Sequence, residues 1–276
     1  MNITKNNISG VCNLKCSYSF QYSETNVTAT NNRTNISISY DNSIQSPVTY
    51  NDEKYTVFKS YLFSPSLHLF DGSKADAELI IVHVPDLGGP QLIVAIPIIA
   101  STSTSTNNST ELLTYLINDS SAYLPNQNES YILNIPNFSL QSIVPQRSFI
   151  SYTGKYHDQT ANFIVFSKAD CIPLSDATLN KLKRIIHPTD DRMIGGDLFF
   201  NSSGPNPELQ QEGIYISCKP TGTSDKNENV INKTNTSSEF NFNNPLFVNS
   251  LYIIISFIVI LIVFFILNLT YNSFVS

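Results

Sequence analysis

The sequence predicts a mostly β (α+β) fold, with a large central, mainly antiparallel twisted sheet and few short helices, followed by one C-terminal transmembrane helix. Three observations predict it. Short segments with apolar residues at alternate positions recur along the N-terminal part of the chain, the pattern of half-buried strands. Two runs, ELIIVHV at 78–84 and QLIVAI at 91–96, are almost continuously apolar, as central strands covered on both faces must be. Residues 246–269, LFVNSLYIIISFIVILIVFFILNL, carry no ionisable side chain. At about 1.5 Å per residue this helix crosses a hydrocarbon core of about 30 Å.

Taken in chain order, the alternation is clear at 17–22 (SYSFQY), 35–40 (NISISY) and 55–58 (YTVF). The runs at 78–84 and 91–96 are joined by Pro85-Asp86-Leu87-Gly88-Gly89, a turn by composition. STSTSTNNST at 101–110 reads as a polar loop and 114–117 as a short helix. Strands follow at 149–152 (FISY) and 162–166 (NFIVF). Residues 174–186 predict a helix: Ser175 caps it, Leu179, Leu182 and Ile186 share a face, and Lys181, Lys183 and Arg184 favour its C-terminal end. The reading divides the chain into a domain at 1–218, a polar stalk at 219–245, the transmembrane helix at 246–269 and a short tail at 270–276.

Charged residues make up only 14% of the 276, and Lys+Arg number 16 against 22 Asp+Glu, a formal net charge of −6. That balance excludes a nucleic-acid partner, which would need a basic surface to displace counterions from phosphates. MNITKNNISG lacks the basic-then-apolar pattern of a signal peptide, so the expected topology is tail-anchored, with the N-terminal domain left on the cytosolic side during synthesis. On that topology most of the many N-x-[ST] sequons, among them those at Asn2, Asn26, Asn32, Asn107, Asn118, Asn201 and Asn232, are a by-product of composition, since glycosylation needs luminal exposure. Cys12, Cys16, Cys171 and Cys218 allow three pairings if all are oxidised, and buried free thiols are the other reading.

An ordered set of motifs resembles the α-carbonic anhydrases over most of 1–218. Asn2-Ile3 is similar to the end of that family's QSPINI opening, TNNRTNISISY (30–40) to its NNGHTIQV strand, SPSLHLFDG (64–72) to PSEHxxxG and ELIIVH (78–83) to ELHLVH. QSIVPQRSFISYTG (141–154) resembles LLPxxxxYYTYxG, ANFIVFSKADCIPLSDATLNKL (161–182) resembles VTWIVFxxPIxVSxxQLxxF, and NPELQQEG (206–213) resembles the closing NxRPxQxxxG. The resemblance implies an α-carbonic-anhydrase-like fold.

The family's chemistry needs three imidazoles on Zn²⁺ and an open fourth position for water. Two come from an HxH pair on one strand, whose alternate side chains point the same way, and the third from the neighbouring strand. The resemblance places Tyr61, Phe63 and Ile80 at these positions. Phe63 and Ile80 have no donor atom, and a phenol with a pKa of about 10 is a poor lone ligand. The family's gate is also lost: its Glu is Leu67 here, and the loop carrying its hydroxyl is replaced by KYHDQT, with His157 at a gate position. No zinc, no other cofactor and no carbonate dehydratase activity are therefore expected. His68 and His83 fall on structural positions of the family and are expected to be packed and hydrogen-bonded. His157 is expected in a solvated loop, and His187 beside the helix C-terminus.

A ligand-depleted domain on a C-terminal anchor resembles the carbonic-anhydrase-like surface proteins of poxvirus particles, which attach particles to sulfated glycosaminoglycans. The resemblance implies a virion membrane of a large DNA virus, the N-terminal domain facing outward, and cell-surface glycans as partners. Lys181, Lys183 and Arg184 are the densest basic cluster and the candidate binding residues; Lys54, Lys59, Arg147 and Lys155 add to a patch only if the fold gathers them. The alternative is a structural membrane-anchored virion component docking to capsid proteins, and a third reading is a zinc-dependent anhydrase.

Overall fold

The computed structural model describes residues 1–40, 46–102, 107–124 and 126–206. The expected stalk, transmembrane helix and tail, together with Cys218 and Asn232, lie outside the described residues. Among the described residues no helix is long and apolar enough to cross a membrane.

The chain opens with β1 (Asn2–Ile3), β2 (Ile8–Val11) and β3 (Tyr18–Phe20), then β4 (Val27–Asn31), β5 (Asn35–Tyr40), β6 (Val48–Tyr50) and the long β7 (Glu53–Phe63). Two-residue strands β8 (Leu69–Phe70) and β9 (Ser73–Lys74) precede the hairpin of β10 (Ala77–Pro85) and β11 (Gln91–Ala100). Helix α1 (Asn108–Tyr123), β12 (Ser130–Leu133), β13 (Phe149–Tyr156), β14 (Gln159–Phe166), β15 (Ile172–Leu174), α2 (Asp176–Ile185), β16 (Ile194–Gly195) and β17 (Leu198–Asn201) complete it.

One large sheet runs β12-β4-β5-β7-β10-β11-β14-β13-β17-β2, with β3, β6, β15 and β16 pairing off that path. Its centre is antiparallel through β5, β7, β10 and β11, while β14 and β15 add to β11 in parallel and β2 adds to β17 in parallel. The two apolar runs lie where the sequence puts them, in β10 and β11, because side chains from both faces are buried. Leu79 and Ile81 of β10, Leu92, Val94 and Ile96 of β11, and Ile164 and Phe166 of β14 enter one core, which also holds Leu113 and Leu116 of α1 and Leu179 and Leu182 of α2. Their neighbours Ile80, Val82, Ile93, Ala95, Phe163 and Val165 enter a second core on the opposite face, closed by Ile3, Leu67, Phe70, Met193 and Leu198. The period of two divides each strand between the two cores.

Two elements differ from expectation. The short helix expected at 114–117 is α1, 16 residues long. It begins where the polar loop was expected to end, because the Asn107 side chain accepts the Thr110 N–H at 2.8 Å and caps it. Leu112, Leu113, Leu116, Ile117 and Ser120 form its buried stripe; the Asn, Ser and Thr between them mask that stripe in the sequence. The strand expected at 55–58 extends to Phe63, because β5 and β10 pair with its second half on either side. Helix α2 starts after Ser175, whose hydroxyl accepts the Thr178 N–H at 3.1 Å, as the cap requires.

Of the cysteine pairings left open, Cys12 and Cys16 are joined as a disulfide and Cys171 is a half-buried free thiol. Inside the first core, His83 is fully buried. Its Nδ1–H donates to the Leu92 carbonyl at 3.1 Å, and its Nε2 accepts from the Tyr22 hydroxyl at 2.9 Å. The Tyr18 hydroxyl donates in turn to Tyr22 at 3.2 Å. Burial holds both phenols protonated, as donors.

Burial also lowers the His83 pKa from 6.5 to about 4, against the smaller raising effect of its backbone hydrogen bonds. Neutral His83 thus contributes stability that is complete above pH 6.5 and is lost as the pH falls towards 4. Urea unfolding at stepped pH is expected to show a loss approaching about 3 kcal/mol across this window, and His83→Gln to flatten that part of the profile. An unchanged profile in His83→Gln would contradict the assignment.

Candidate functional site

The three expected metal positions do come together. Tyr61 of β7 and Ile80 of β10 are direct cross-strand partners, and Phe63 lies two residues along β7, so all three share one face. Phe63 and Ile80 are buried in the second core and Tyr61 packs against it, half-buried. The Tyr61 and Phe63 rings stand 6.3 Å apart between centroids, and burial raises the Tyr61 pKa. At the rim, the Tyr156 pKa is raised by burial and then by nearby Tyr61 and Asp191. The face is an apolar cluster with phenols at its edge.

The donor set does not fit Zn²⁺. Phe63 and Ile80 offer no lone pair, and a single phenol is not a tetrahedral cage. Among the described residues no group of three or more His, Cys, Asp or Glu side chains is placed to hold a metal ion.

Both expected gate positions are structural. Leu67 is buried in the same cluster. His157 lies on a solvated connection, as expected: β13 and β14 pair continuously up to Tyr156 and Gln159, leaving His157 and Asp158 as a two-residue turn. Both take positive φ, +47° and +64°, which suits a tight hairpin turn. The exposed His157 imidazole lies edge-on to Tyr156, with centroids 4.3 Å apart.

Beneath the cluster lies a polar network that spacing alone does not reveal. Glu78 of β10 is fully buried. Its Oε2 accepts the backbone N–H groups of Leu67 and His68 at 2.7 and 3.1 Å, and its Oε1 accepts the His68 Nδ1–H at 2.7 Å. The His68 Nε2 accepts the Tyr152 hydroxyl at 2.7 Å, a phenol kept protonated by burial and then by the Glu78 charge. The Tyr152 ring stacks on Phe163 at 4.5 Å and 3°. A side chain at Gly195 would collide with that ring, and one at Gly154 would collide with the Ile194 carbonyl, so the paired glycines of β13 and β16 make room for it. His68 and His83 are therefore packed and hydrogen-bonded, as expected. His187 lies two residues beyond the end of α2, its backbone N–H bonded to the Arg33 carbonyl and its side chain exposed.

The basic residues of α2 diverge. The Lys181 ammonium donates to Asn118 Oδ1 of α1 at 2.7 Å, Lys183 stands 3.5 Å from Asp76, and Arg184 is exposed. Lys183 also lines a cleft of about 410 Å³ with Pro65, Lys74, Asp76, Ile186 and Pro188. Lys74 is the basic neighbour that the sequence reading did not select, since it becomes adjacent only through the β9–β10 connection.

No protein-family model matches the sequence, and no curated protein matches it. Solved structures do match in fold. An α-carbonic anhydrase from Thermovibrio ammonificans, in complex with the inhibitor sulfanilamide, is 14% identical with a TM-score of 0.59 over 72% of this chain and 84% of its own. A carbonic anhydrase from Chlamydomonas reinhardtii in complex with acetazolamide is 14% identical with a TM-score of 0.59 over 73% and 89%. Dioscorin complexed with ascorbate is 14% identical, again with a TM-score of 0.59, over 73% and 84%. The described chain has the carbonic-anhydrase-like fold.

Because the Glu78 carboxylate satisfies two backbone N–H groups and one imidazole, Glu78→Ala is expected to lower unfolding stability by about 4 kcal/mol. Tyr152→Phe, which removes one donor, should cost about 1 to 2 kcal/mol. Denaturant titration of both variants checks the order; a Glu78→Ala loss below about 1 kcal/mol would contradict the network's role.

Proposed function

We propose that the domain is a non-catalytic binding module built on the carbonic-anhydrase-like fold. The observation that carries this reading is the apolar face of Tyr61, Phe63 and Ile80, where the fold's chemistry would need three imidazoles. With no metal-bound water to generate, the residues left on that face stabilise the sheet. Function then falls to the outer surface.

In the fuller form of the proposal, the chain is held in the membrane of a large DNA virus particle by residues 246–269 and binds anionic glycans on a host cell. Two things support it: the sequence resemblance to poxvirus surface proteins, and the cleft beside α2, lined by Lys74, by Lys183 with its partner Asp76, and by the apolar surfaces of Pro65, Ile186 and Pro188. A sulfated sugar presents charges for the ammonium groups and C–H faces for such surfaces.

Two measurements test it. The purified chain should hydrate CO₂ no faster than the uncatalysed reaction. It should be retained on immobilised heparin at low salt, released as salt rises, and bound about tenfold more weakly in Lys74→Ala/Lys183→Ala/Arg184→Ala, the loss of about 1.4 kcal/mol. Hydration well above background contradicts the non-catalytic reading. Absence of retention, together with copurification with capsid proteins, contradicts attachment and favours a structural virion component.

A further inference from the structure

We infer that the edge of the sheet at β12 is shielded by N-linked glycans on Asn26, Asn128 and Asn137, and that the domain therefore matures on the luminal side of a membrane. This goes beyond the binding reading and departs from the cytosolic topology expected from the sequence. Three separate observations lead to it.

First, the structure sorts the sequons. The side-chain amide of Asn2 accepts the Gly72 N–H, Asn32 donates to Asn35, Asn107 caps α1 and Asn118 accepts from Lys181. Asn201 is buried and donates to the Cys16 carbonyl. Asn32 and Asn201 donate from the Nδ2 that a glycan would take, whereas Asn2, Asn107 and Asn118 accept through Oδ1, which glycosylation leaves in place. Asn26-Val27-Thr28, Asn128-Glu129-Ser130 and Asn137-Phe138-Ser139 each present an exposed asparagine, as Asn7, Asn107 and Asn108 also do, and these three lie together beside one strand. Asn128 and Asn137 stand in turns at φ +66° and +55°, a backbone conformation that asparagine tolerates well.

Second, the three flank one vulnerable strand. Among the described residues β12 ends the sheet and pairs only with β4. Tyr131 and Ile132 are 43% and 69% exposed on it. The strand SYIL carries no charge and no proline, the usual guards of an open edge. Asn128 precedes β12. At the other end the Thr25 N–H bonds the Phe138 carbonyl, which sets Asn26 beside Asn137. Glycans at both ends would occupy the space a pairing strand needs.

Third, the Cys12–Cys16 disulfide is built into the core, with each residue 2% exposed. Its loop is tied to β17 through Cys12 N–H to the Phe200 carbonyl and Asn201 to the Cys16 carbonyl. Its formation transfers two electrons and two protons to a disulfide oxidant, and secretory lumens supply one. The same lumen supplies a lipid-pyrophosphate-linked oligosaccharide. The asparagine Nδ2 attacks its sugar C1, the C–N bond forms as the C–O bond to pyrophosphate breaks, and Nδ2 loses one proton.

The test is peptide mass mapping of the full-length chain from the membrane fraction of insect cells, after amidase release of glycans in heavy-oxygen water. The expected result is labelled aspartate at position 128 and at 26 or 137, with unlabelled asparagine at 32 and 201. Ser130→Ala, which leaves Asn128 in place, should remove the label at 128 alone and leave the Cys12–Cys16 peptide oxidised. A membrane-inserted chain unlabelled at 128, or unlabelled at both 26 and 137, overturns the inference, whatever the state of the cysteines.

Discussion

The Glu78 carboxylate is the constraint on which the rest of the domain depends. A fully buried charge is tolerated only when hydrogen bonds replace its lost water, and Glu78 receives three: from the backbones of Leu67 and His68 and from the His68 ring. Those bonds tie the 64–72 segment beneath the centre of the sheet. His68 hands the chain of bonds on to Tyr152 on β13, three strands away in the sheet order. Strands β10 and β13 are thus linked through their side chains as well as through the backbone ladder between them.

That rigidity bears on the face above. The strands that would present three imidazoles are held in the register required for convergence, since Tyr61 stands opposite Ile80 with Phe63 next along. The side chains they present are a phenol, a phenyl ring and a sec-butyl group, not imidazoles. Leu67 in place of a carboxylate and a two-residue turn at His157-Asp158 in place of a longer loop act in the same direction, filling or removing what would surround a bound water. That apolar face is the ground of the proposed binding role.

Much of the frame was legible in the sequence, for reasons that differ by element. The runs in β10 and β11 announce themselves because strands buried on both faces need apolar residues at every position, and Ser175 announces α2 because a cap has a fixed chemistry. Helix α1 was read too short because its apolar stripe is diluted by Asn, Ser and Thr, which favour caps and turns as much as helix interiors. The convergence of Tyr61, Phe63 and Ile80 was legible through alternation and family resemblance together. The Glu78–His68–Tyr152 network was not, because its members are joined by tertiary contacts across 84 residues of sequence from His68 to Tyr152, and no local pattern records such a contact. Nor could composition tell which asparagines are free, since that depends on what each amide meets after folding.

In the proposed reading, the register of β7 and β10 would let three imidazoles at 61, 63 and 80 converge, and the natural side chains supply no such donors. Zinc titration of the chain beside its Tyr61→His/Phe63→His/Ile80→His variant tests it most directly. No stoichiometric zinc is expected in the natural chain and one tightly held Zn²⁺ in the variant, with folding retained in both. Stoichiometric zinc in the natural chain would contradict it.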